Sequence, residues 1–106
     1  MSDSSPTLPA HLALSLENFT KAIGDPTRWR ILAELSKGEP LMVIEIARML
    51  GRSPTVASKH LGVLRQAGVV VIGRGRMYQI VAPFRVESGV LDFGYGRLLM
   101  VGGGGK

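Results

Sequence analysis

The sequence predicts a mainly α-helical fold that carries one small β-hairpin, and three observations support this prediction. Residues 45–68 have the pattern of two helices joined by a tight turn that begins at Gly51. Apolar residues recur at helical spacing in the segments before that turn. A β-branched run then leads into a Gly-rich turn and a second short strand, within residues 69–81. This order predicts a winged helix-turn-helix, followed by an extended C-terminal segment instead of a long helix.

Composition divides the chain into one main domain and three flanking segments. Residues 1–7 are rich in Ser and Pro, so we expect a disordered tail there. The winged helix-turn-helix is expected over 8–83. Residues 84–101 contain helix-breaking glycines and a stretch of apolar residues that alternate with other types, which predicts an extended, strand-like segment. Residues 102–106 are predicted to form a flexible Gly tail.

A first helix is predicted to begin near Pro9 and to end at Gly24. One apolar stripe recurs along it at helical spacing: Leu12, Leu16, Phe19 and Ile23. Leu14 lies nearly opposite this stripe, so we expect it to be exposed. It is then either an ordinary surface leucine or a contact for a second subunit, and the sequence favours neither.

The second helix is predicted to begin after Asp25, with that residue as N-cap and Pro26 at the first helical position, and to end near Ser36. Arg28 and Arg30 are expected outside its buried side. Solvation or an ion pair with Glu34 is the favoured prediction, and a phosphate contact at the edge of a DNA site is the alternative. The buried side is expected to consist of Trp29, Ile31, Leu32 and Leu35.

The third helix is predicted over Leu41–Leu50 and stops at Gly51, a residue suited to the left-handed conformation that ends helices. Ser53 and Pro54 then begin the fourth helix as N-cap and first helical residue. The apolar residues of the third helix are expected to lie largely in the core: Leu41, Val43, Ile44, Ile46 and Leu50.

The fourth helix, residues 54–67, divides into two faces when its residues are placed about 100° apart. The face expected to be buried consists of Val56, Ala57, His60, Leu61, Val63, Leu64 and Ala67. The opposite face consists of Thr55, Ser58, Lys59, Gly62, Arg65 and Gln66. This second face has no acid and no large apolar side chain, which favours entry into the major groove of DNA. The alternative is the solvated face of an ordinary helix.

The hairpin predicted at 69–81 carries Arg74 and Arg76 in its Gly-rich turn. A plain hairpin turn is one interpretation. A wing that contacts the DNA backbone or minor groove is the favoured one, because the hairpin directly follows the helix that is expected to enter the major groove.

Charge supports a nucleic-acid partner. Residues 40–80 contain six cations and one acid, whereas the rest of the chain contains seven of each, so the whole net charge of +5 lies on this segment.

Several function classes are disfavoured by what the sequence lacks. There is no Cys, so disulfides and Cys-based metal or redox sites are excluded. No basic region followed by an apolar core begins the chain, and no apolar run approaches the roughly 18 residues that span a bilayer. No nucleophile and base are arranged for catalysis. We therefore expect a cytoplasmic protein that is not an enzyme, needs no cofactor and has no membrane partner.

Three segments together resemble the ArsR/SmtB-type bacterial repressors: AIGDPTRWRILAEL, VIEIARMLGRSPTVASKHLGVLRQAGVV and GRGRMYQI. The likeness spans roughly residues 19–81. It implies a homodimeric, sequence-specific transcriptional repressor that binds double-stranded DNA, with helix 54–67 in the major groove and hairpin 69–81 as the wing. His60 matches a helix histidine of that family and is expected to be packed and hydrogen-bonded, not a ligand.

The candidate DNA-binding residues combine the positions that this resemblance implies with the neighbouring cations. They are Arg52, Ser53, Thr55, Ser58, Lys59, Arg65, Arg74 and Arg76. If the implied dimer is kept, the candidate interface lies on the first helix, at Leu12, Leu14, Leu16 and Phe19.

The sequence also departs from that family in the residues that bind metal. Arsenic-sensing members carry two cysteines where this chain has Met42 and Ile44, and zinc- or nickel-type members use a long C-terminal helix that the glycines here preclude. A metal site is therefore not expected, and the effector is left unassigned. Two alternatives to a DNA-binding regulator stay open: a winged helix used for contact with another protein, and a ligand-gated sensor with an unfamiliar site.

Overall fold

A computed structural model describes residues 12–100 of the chain. Four helices come first: α1 (Leu16–Ile23), α2 (Pro26–Leu35), α3 (Val43–Leu50) and α4 (Pro54–Gln66). Five short strands follow: β1 (Val70–Ile72), β2 (Tyr78–Ile80), β3 (Arg85–Glu87), β4 (Val90–Asp92) and β5 (Arg97–Leu99). The strands form a β1-β2 hairpin and a separate antiparallel sheet of order β3-β4-β5. The fold is a winged helix-turn-helix, and the prediction of an extended C-terminal segment is confirmed.

The helix boundaries of α2, α3 and α4 follow from local chemistry that the sequence displays. The Asp25 carboxylate accepts hydrogen bonds from the backbone N–H groups of Thr27 and Arg28, at 2.8 and 3.1 Å, and so caps α2. Gly51 ends α3 at φ 68°, in the left-handed region. The Ser53 hydroxyl accepts from the Val56 N–H at 3.2 Å and begins α4.

The prediction that the first helix begins near Pro9 is wrong for the described residues. Ser15 is the N-cap of α1, and its hydroxyl accepts a hydrogen bond from the Asn18 N–H. Residues 12–15 precede the helix; the predicted part before residue 12, the tail at 1–7 and the Gly tail at 102–106 lie outside the described residues.

Leu14 is buried, with 9% of its surface exposed, so the prediction of an exposed leucine is wrong. The residue lies in an extended segment that packs against the C-terminal sheet. The Leu14 N–H donates to the Phe93 carbonyl at 3.0 Å, and the Tyr95 hydroxyl donates to the Leu14 carbonyl at 2.8 Å. Helical periodicity placed Leu14 on the wrong side because the segment is not helical.

The third helix is shorter than predicted at its N-terminal end. Leu41 is not in α3 but exchanges two backbone hydrogen bonds with Tyr78, at 3.0 and 2.7 Å, and so forms an isolated β-bridge to the hairpin. Ile44 is 46% exposed, against the expectation that it is core, because α3 buries only Ile46, Ala47 and Leu50.

One hydrophobic core joins the helices to the C-terminal sheet. Within the extended segment predicted at 84–101, Phe84, Leu91 and Phe93 belong to the same cluster of buried side chains as the helices. The Phe93 ring lies 5.1 Å from the Phe84 ring and 6.2 Å from the Phe19 ring. Strand β4 therefore packs into the same hydrophobic core as the helices.

Arg85 fastens the C-terminal sheet to the end of α2. Its Nε donates to the Ser36 carbonyl at 2.8 Å and its Nη2 to the Lys37 carbonyl at 3.1 Å. These carbonyls follow the last turn of α2 and have no partner within the helix, so a cation there is favourable.

Candidate nucleic-acid interface

The turn between α3 and α4 is held in place by the backbone. The Arg52 N–H donates to the Ala47 carbonyl at 3.1 Å, and the side chains of Arg52 and Ser53 are both exposed. Because the turn spans only three residues from Gly51 to Ser53, the orientation of α4 follows from the end of α3.

The predicted division of α4 into two faces is confirmed at its centre. Ala57, Leu61 and Leu64 are fully buried. The polar face is exposed at Thr55, Ser58, Lys59, Arg65 and Gln66. Side chains of this kind can donate to phosphate oxygens and to base edges in a groove.

Three residues of the expected buried face are only half-buried: Val56, His60 and Val63. They lie on the flank of α4 between its core side and its outward side. They line a cleft, so the buried stripe of α4 is narrower than the sequence indicates.

The hairpin presents both of its arginines to solvent. Strand β1 begins beside the end of α4, where the Val69 N–H donates to the Leu64 carbonyl at 3.1 Å. Strands β1 and β2 pair from Val70↔Ile80 to Ile72↔Tyr78, and the Gly73 N–H donates to the Met77 carbonyl at 2.8 Å. Gly75 and Arg76 have φ of 69° and 60°, so Arg76 occupies a conformation that suits Gly or Asn better.

All eight candidate DNA-binding residues are exposed, which places each where a partner can reach it. Six of them lie on α4 or on the turn that precedes it, from Arg52 to Arg65. Arg74 and Arg76 lie apart, at the end of the hairpin.

Sequence reasoning did not find the contacts of Arg28 and Arg30. Arg28 Nη1 lies 3.4 Å from His60 Nδ1 and 3.9 Å from the Asp25 carboxylate, and its Nε donates to the Lys21 carbonyl at 2.8 Å. Arg30 donates to the Met49 carbonyl at 3.1 Å. Glu34, the expected ion-pair partner, pairs with Lys37 at 3.2 Å. Only the packing of α2 against α4 brings Arg28 to His60.

Asp25 is ionised more readily than an ordinary aspartate. Partial burial opposes the charge, but the N–H donors of Arg28 and Thr27, with the nearby charges of Arg28 and His60, outweigh burial and lower its pKa. An ionised cap therefore stabilises the fold at neutral pH, and this stabilisation is lost as the pH falls through the lowered pKa.

We expect acid to remove the extra stability that Asp25 gives the fold relative to a neutral N-cap residue. Asp25→Ser keeps an N-cap acceptor but lacks the charge. The native chain should have a higher melting temperature than this variant at pH 7, and the difference should shrink once the pH falls below about 4, where a free aspartate protonates. Thermal unfolding from pH 7 to pH 2 measures this. A difference that stays constant over the range would contradict the assigned role of the charge.

The candidate dimer residues have unequal surroundings. Leu16 is 62% exposed and Leu12 is also exposed. Phe19 is half-buried and stacks on Tyr95, with the ring centres 4.5 Å apart. Leu14 is covered within its own chain, so it is removed from the candidate interface.

Neither a metal cluster nor a membrane span is found in the described part of the chain. Across residues 12–100, no three His, Cys, Asp or Glu side chains lie close enough together to hold a metal ion. None of the helices within that range has the length and apolar character required to cross a membrane.

Comparison with known proteins bears on the same part of the chain. A family model described as a helix-turn-helix domain matches residues 23–72, which run from the end of α1 through α4 to β1. Residues 23–72 are thus similar to helix-turn-helix domains. The hairpin return, the C-terminal sheet and most of α1 lie outside this match.

Two curated relatives align with about half of the chain. One is an uncharacterized HTH-type transcriptional regulator of Methanocaldococcus jannaschii, MJ1325, which is 40% identical over 50 residues. The other is the transcriptional repressor SdpR of Bacillus subtilis, which is 42% identical over 55 residues. The alignments cover 47% and 52% of this chain, and 56% and 60% of the relatives. The similarity therefore does not extend over the full length of this chain or of either relative.

Proposed function

We propose that this chain is a sequence-specific DNA-binding regulator of transcription, with α4 in the major groove and the β1-β2 hairpin as the wing. The observation that carries the proposal is the outward face of α4. Hydroxyls and cations are exposed there, and no acid lies among them. Arg52, Lys59 and Arg65 form no ion pair with any residue in the range 12–100, so their charges are free for phosphates.

The roles of the side chains follow from their positions on this face. Thr55 and Ser58 read base edges, since they project from the first half of the helix, as in other helix-turn-helix proteins. Lys59 projects from the same half, and its three N–H donors allow it to contact a phosphate as well as a base edge. Arg65 and the two wing arginines hold phosphates, and Arg52 lies at the edge of the site. The Ser53 hydroxyl accepts a hydrogen bond from Val56, so its own proton is available to a phosphate oxygen.

A repressor of the ArsR/SmtB type that acts as a homodimer is the finer form of this proposal. The Bacillus subtilis relative is a transcriptional repressor, which supports the repressor role. Exposed apolar side chains at and just before the start of α1 support a second copy as partner: Leu12 and Leu16. A two-fold dimer would place two α4 helices about one DNA turn apart, on a roughly palindromic site.

The decisive experiment is selection of binding sites from random and genomic duplexes, followed by titration of the affinity against salt. We expect an enriched palindrome, a steep loss of affinity with salt, and two chains per site by sedimentation. Steep salt dependence without enrichment would overturn sequence specificity. No binding at low salt would refute the DNA-binding function and favour a winged helix that contacts an acidic protein surface.

A further inference from the structure

A cleft of about 420 Å³ runs along one flank of α4, between that helix and α2. Its walls combine cations with two valine side chains. The lining residues are Arg28, Arg52, Val56, Lys59, His60 and Val63. Arg28 comes from α2, Arg52 from the turn, and the other four from α4.

Arg28 is held rigidly at this cleft. Its side chain is only 15% exposed, and three groups from separate parts of the chain hold the guanidinium: the Lys21 carbonyl, the Asp25 carboxylate and the His60 ring. A cation fixed in this way loses little conformational freedom when it binds an anion, which favours tight binding.

The charge at the cleft is positive even after Asp25 is counted. Arg28 and the ionised Asp25 offset one another. Arg52 and Lys59 have no carboxylate partner among residues 12–100, which leaves two unbalanced positive charges at the cleft. An anion that enters the cleft is therefore attracted without first displacing an ion pair of Arg52 or Lys59.

A second cleft, of about 340 Å³, continues this surface along α4. It shares Arg28 and Val63 with the first cleft and adds Lys21, Asn18 and Gln66. The two clefts together form a basic track beside the helix that carries the reading face.

The dimensions of DNA suggest what occupies this track. The major groove is about 12 Å wide, and a helix with its side chains is about 10–12 Å across, so both flanks of a helix in the groove meet sugar–phosphate backbone. We infer that the cleft at Arg28, Lys59 and Val63 seats a phosphodiester of the DNA strand that borders this flank of α4. The inference rests on the proposed function and adds α2 to the DNA-binding surface.

The lining of the cleft suits a phosphodiester in both of its parts. The guanidinium of Arg28 and the ammonium of Lys59 donate to the non-bridging phosphate oxygens. The methyl groups of Val56 and Val63 pack against the deoxyribose on either side of the phosphate. Such a contact positions α4 in the groove and carries no sequence information of its own.

The first test places a carboxylate in the cleft. Val63→Glu and Val63→Gln have the same length and both suit a helix, so their difference isolates the charge. We expect the Glu variant to bind the selected duplex about tenfold more weakly than the Gln variant, on every sequence. Fluorescence anisotropy measures both affinities, and circular dichroism checks the fold. Equal affinities for the two variants would overturn the inference.

The second test removes the fixed cation. Arg28→Gln should weaken binding about tenfold and lower the slope of log affinity against log salt by about 0.9. Arg97→Gln, on β5 in the C-terminal sheet, removes the same charge elsewhere and should leave both values unchanged. An unchanged slope in a folded Arg28→Gln protein would overturn the inference, whereas failure of the native chain to bind any duplex would refute the proposed function as well.

A third measurement separates DNA from a free phosphate compound as the source of the anion. Inorganic phosphate is titrated into the native chain while amide resonances of Val56, Lys59 and Val63 are followed by NMR. We expect inorganic phosphate to shift these amide resonances only weakly. A specific duplex should shift the same resonances and should saturate them at micromolar concentration. Saturation by phosphate, with no shift of these resonances when the duplex binds, would assign the cleft to a small phosphate ligand and overturn the inference.

Discussion

Replacing Phe93 by Ala is expected to lower the free energy of unfolding by about 3–5 kcal/mol. Phe93 is fully buried and belongs to the cluster that joins the helices to the C-terminal sheet. Its ring packs beside those of Phe84 and Phe19, so truncation leaves a cavity between β4 and α1. Chemical denaturation in urea measures the loss.

Leu99→Ala is the matched control for this prediction, because Leu99 lies in the same sheet but is 65% exposed. It should change the free energy of unfolding by no more than about 0.5 kcal/mol. Should Phe93→Ala fail to fold, Phe93→Leu provides a smaller truncation at the same position. If substitutions at Phe93 cost no more than those at Leu99, the C-terminal sheet does not share the core of the helices.

Removal of both wing arginines is expected to weaken DNA binding about 100-fold and to lower the salt slope by about two, if each holds one phosphate. The substitutions should be Arg74→Gln and Arg76→Asn. Residue 76 has a positive φ, where Asn is tolerated and Ala would strain the turn, so Asn removes the charge without disturbing the hairpin. Anisotropy titrations at several salt concentrations measure the effect.

This wing prediction has a control in Arg97→Gln, which removes one charge from the C-terminal sheet and should have no effect on the slope. The loss at the wing should also be similar for the selected site and for random duplexes, because phosphate contacts carry no sequence information. If the doubly substituted protein has the same salt slope as the native chain, the wing does not contact DNA phosphates. A loss confined to the selected site would show that the arginines contact bases instead.

Short-range sequence signals determine the helix boundaries of the helix-turn-helix. Asp25 with Pro26, Gly51, and Ser53 with Pro54 act within one turn of the positions they occupy, so the boundaries of α2, the end of α3 and the start of α4 are correctly predicted. The exposed side of α4 is predicted equally well, because the helix period assigns every residue to a face. For this reason the candidate DNA-binding residues required no knowledge of the tertiary structure.

The predictions that fail concern residues whose surroundings are set by a segment distant in the sequence. Periodicity assigns Leu14 to a helix, but its backbone is extended and forms hydrogen bonds with Phe93 and Tyr95 at the C-terminal sheet. Glu34 is near Arg28 and Arg30 in sequence, but α2 turns those arginines toward His60 and Met49. Each of these contacts joins residues at least 19 positions apart, a distance over which local spacing carries no information.

The sequence by itself determined the helix-turn-helix, the polar outward face of α4 and the concentration of positive charge on that segment, because caps, turns and helical periodicity act over a few residues. Tertiary structure alone decided that residues after Phe84 complete the core, that Leu14 is covered, and that α2 delivers Arg28 to the flank of α4. The physical reason is that burial and side-chain pairing between elements depend on which surfaces meet. That choice minimises exposed apolar area over the whole chain and cannot be made by any one segment.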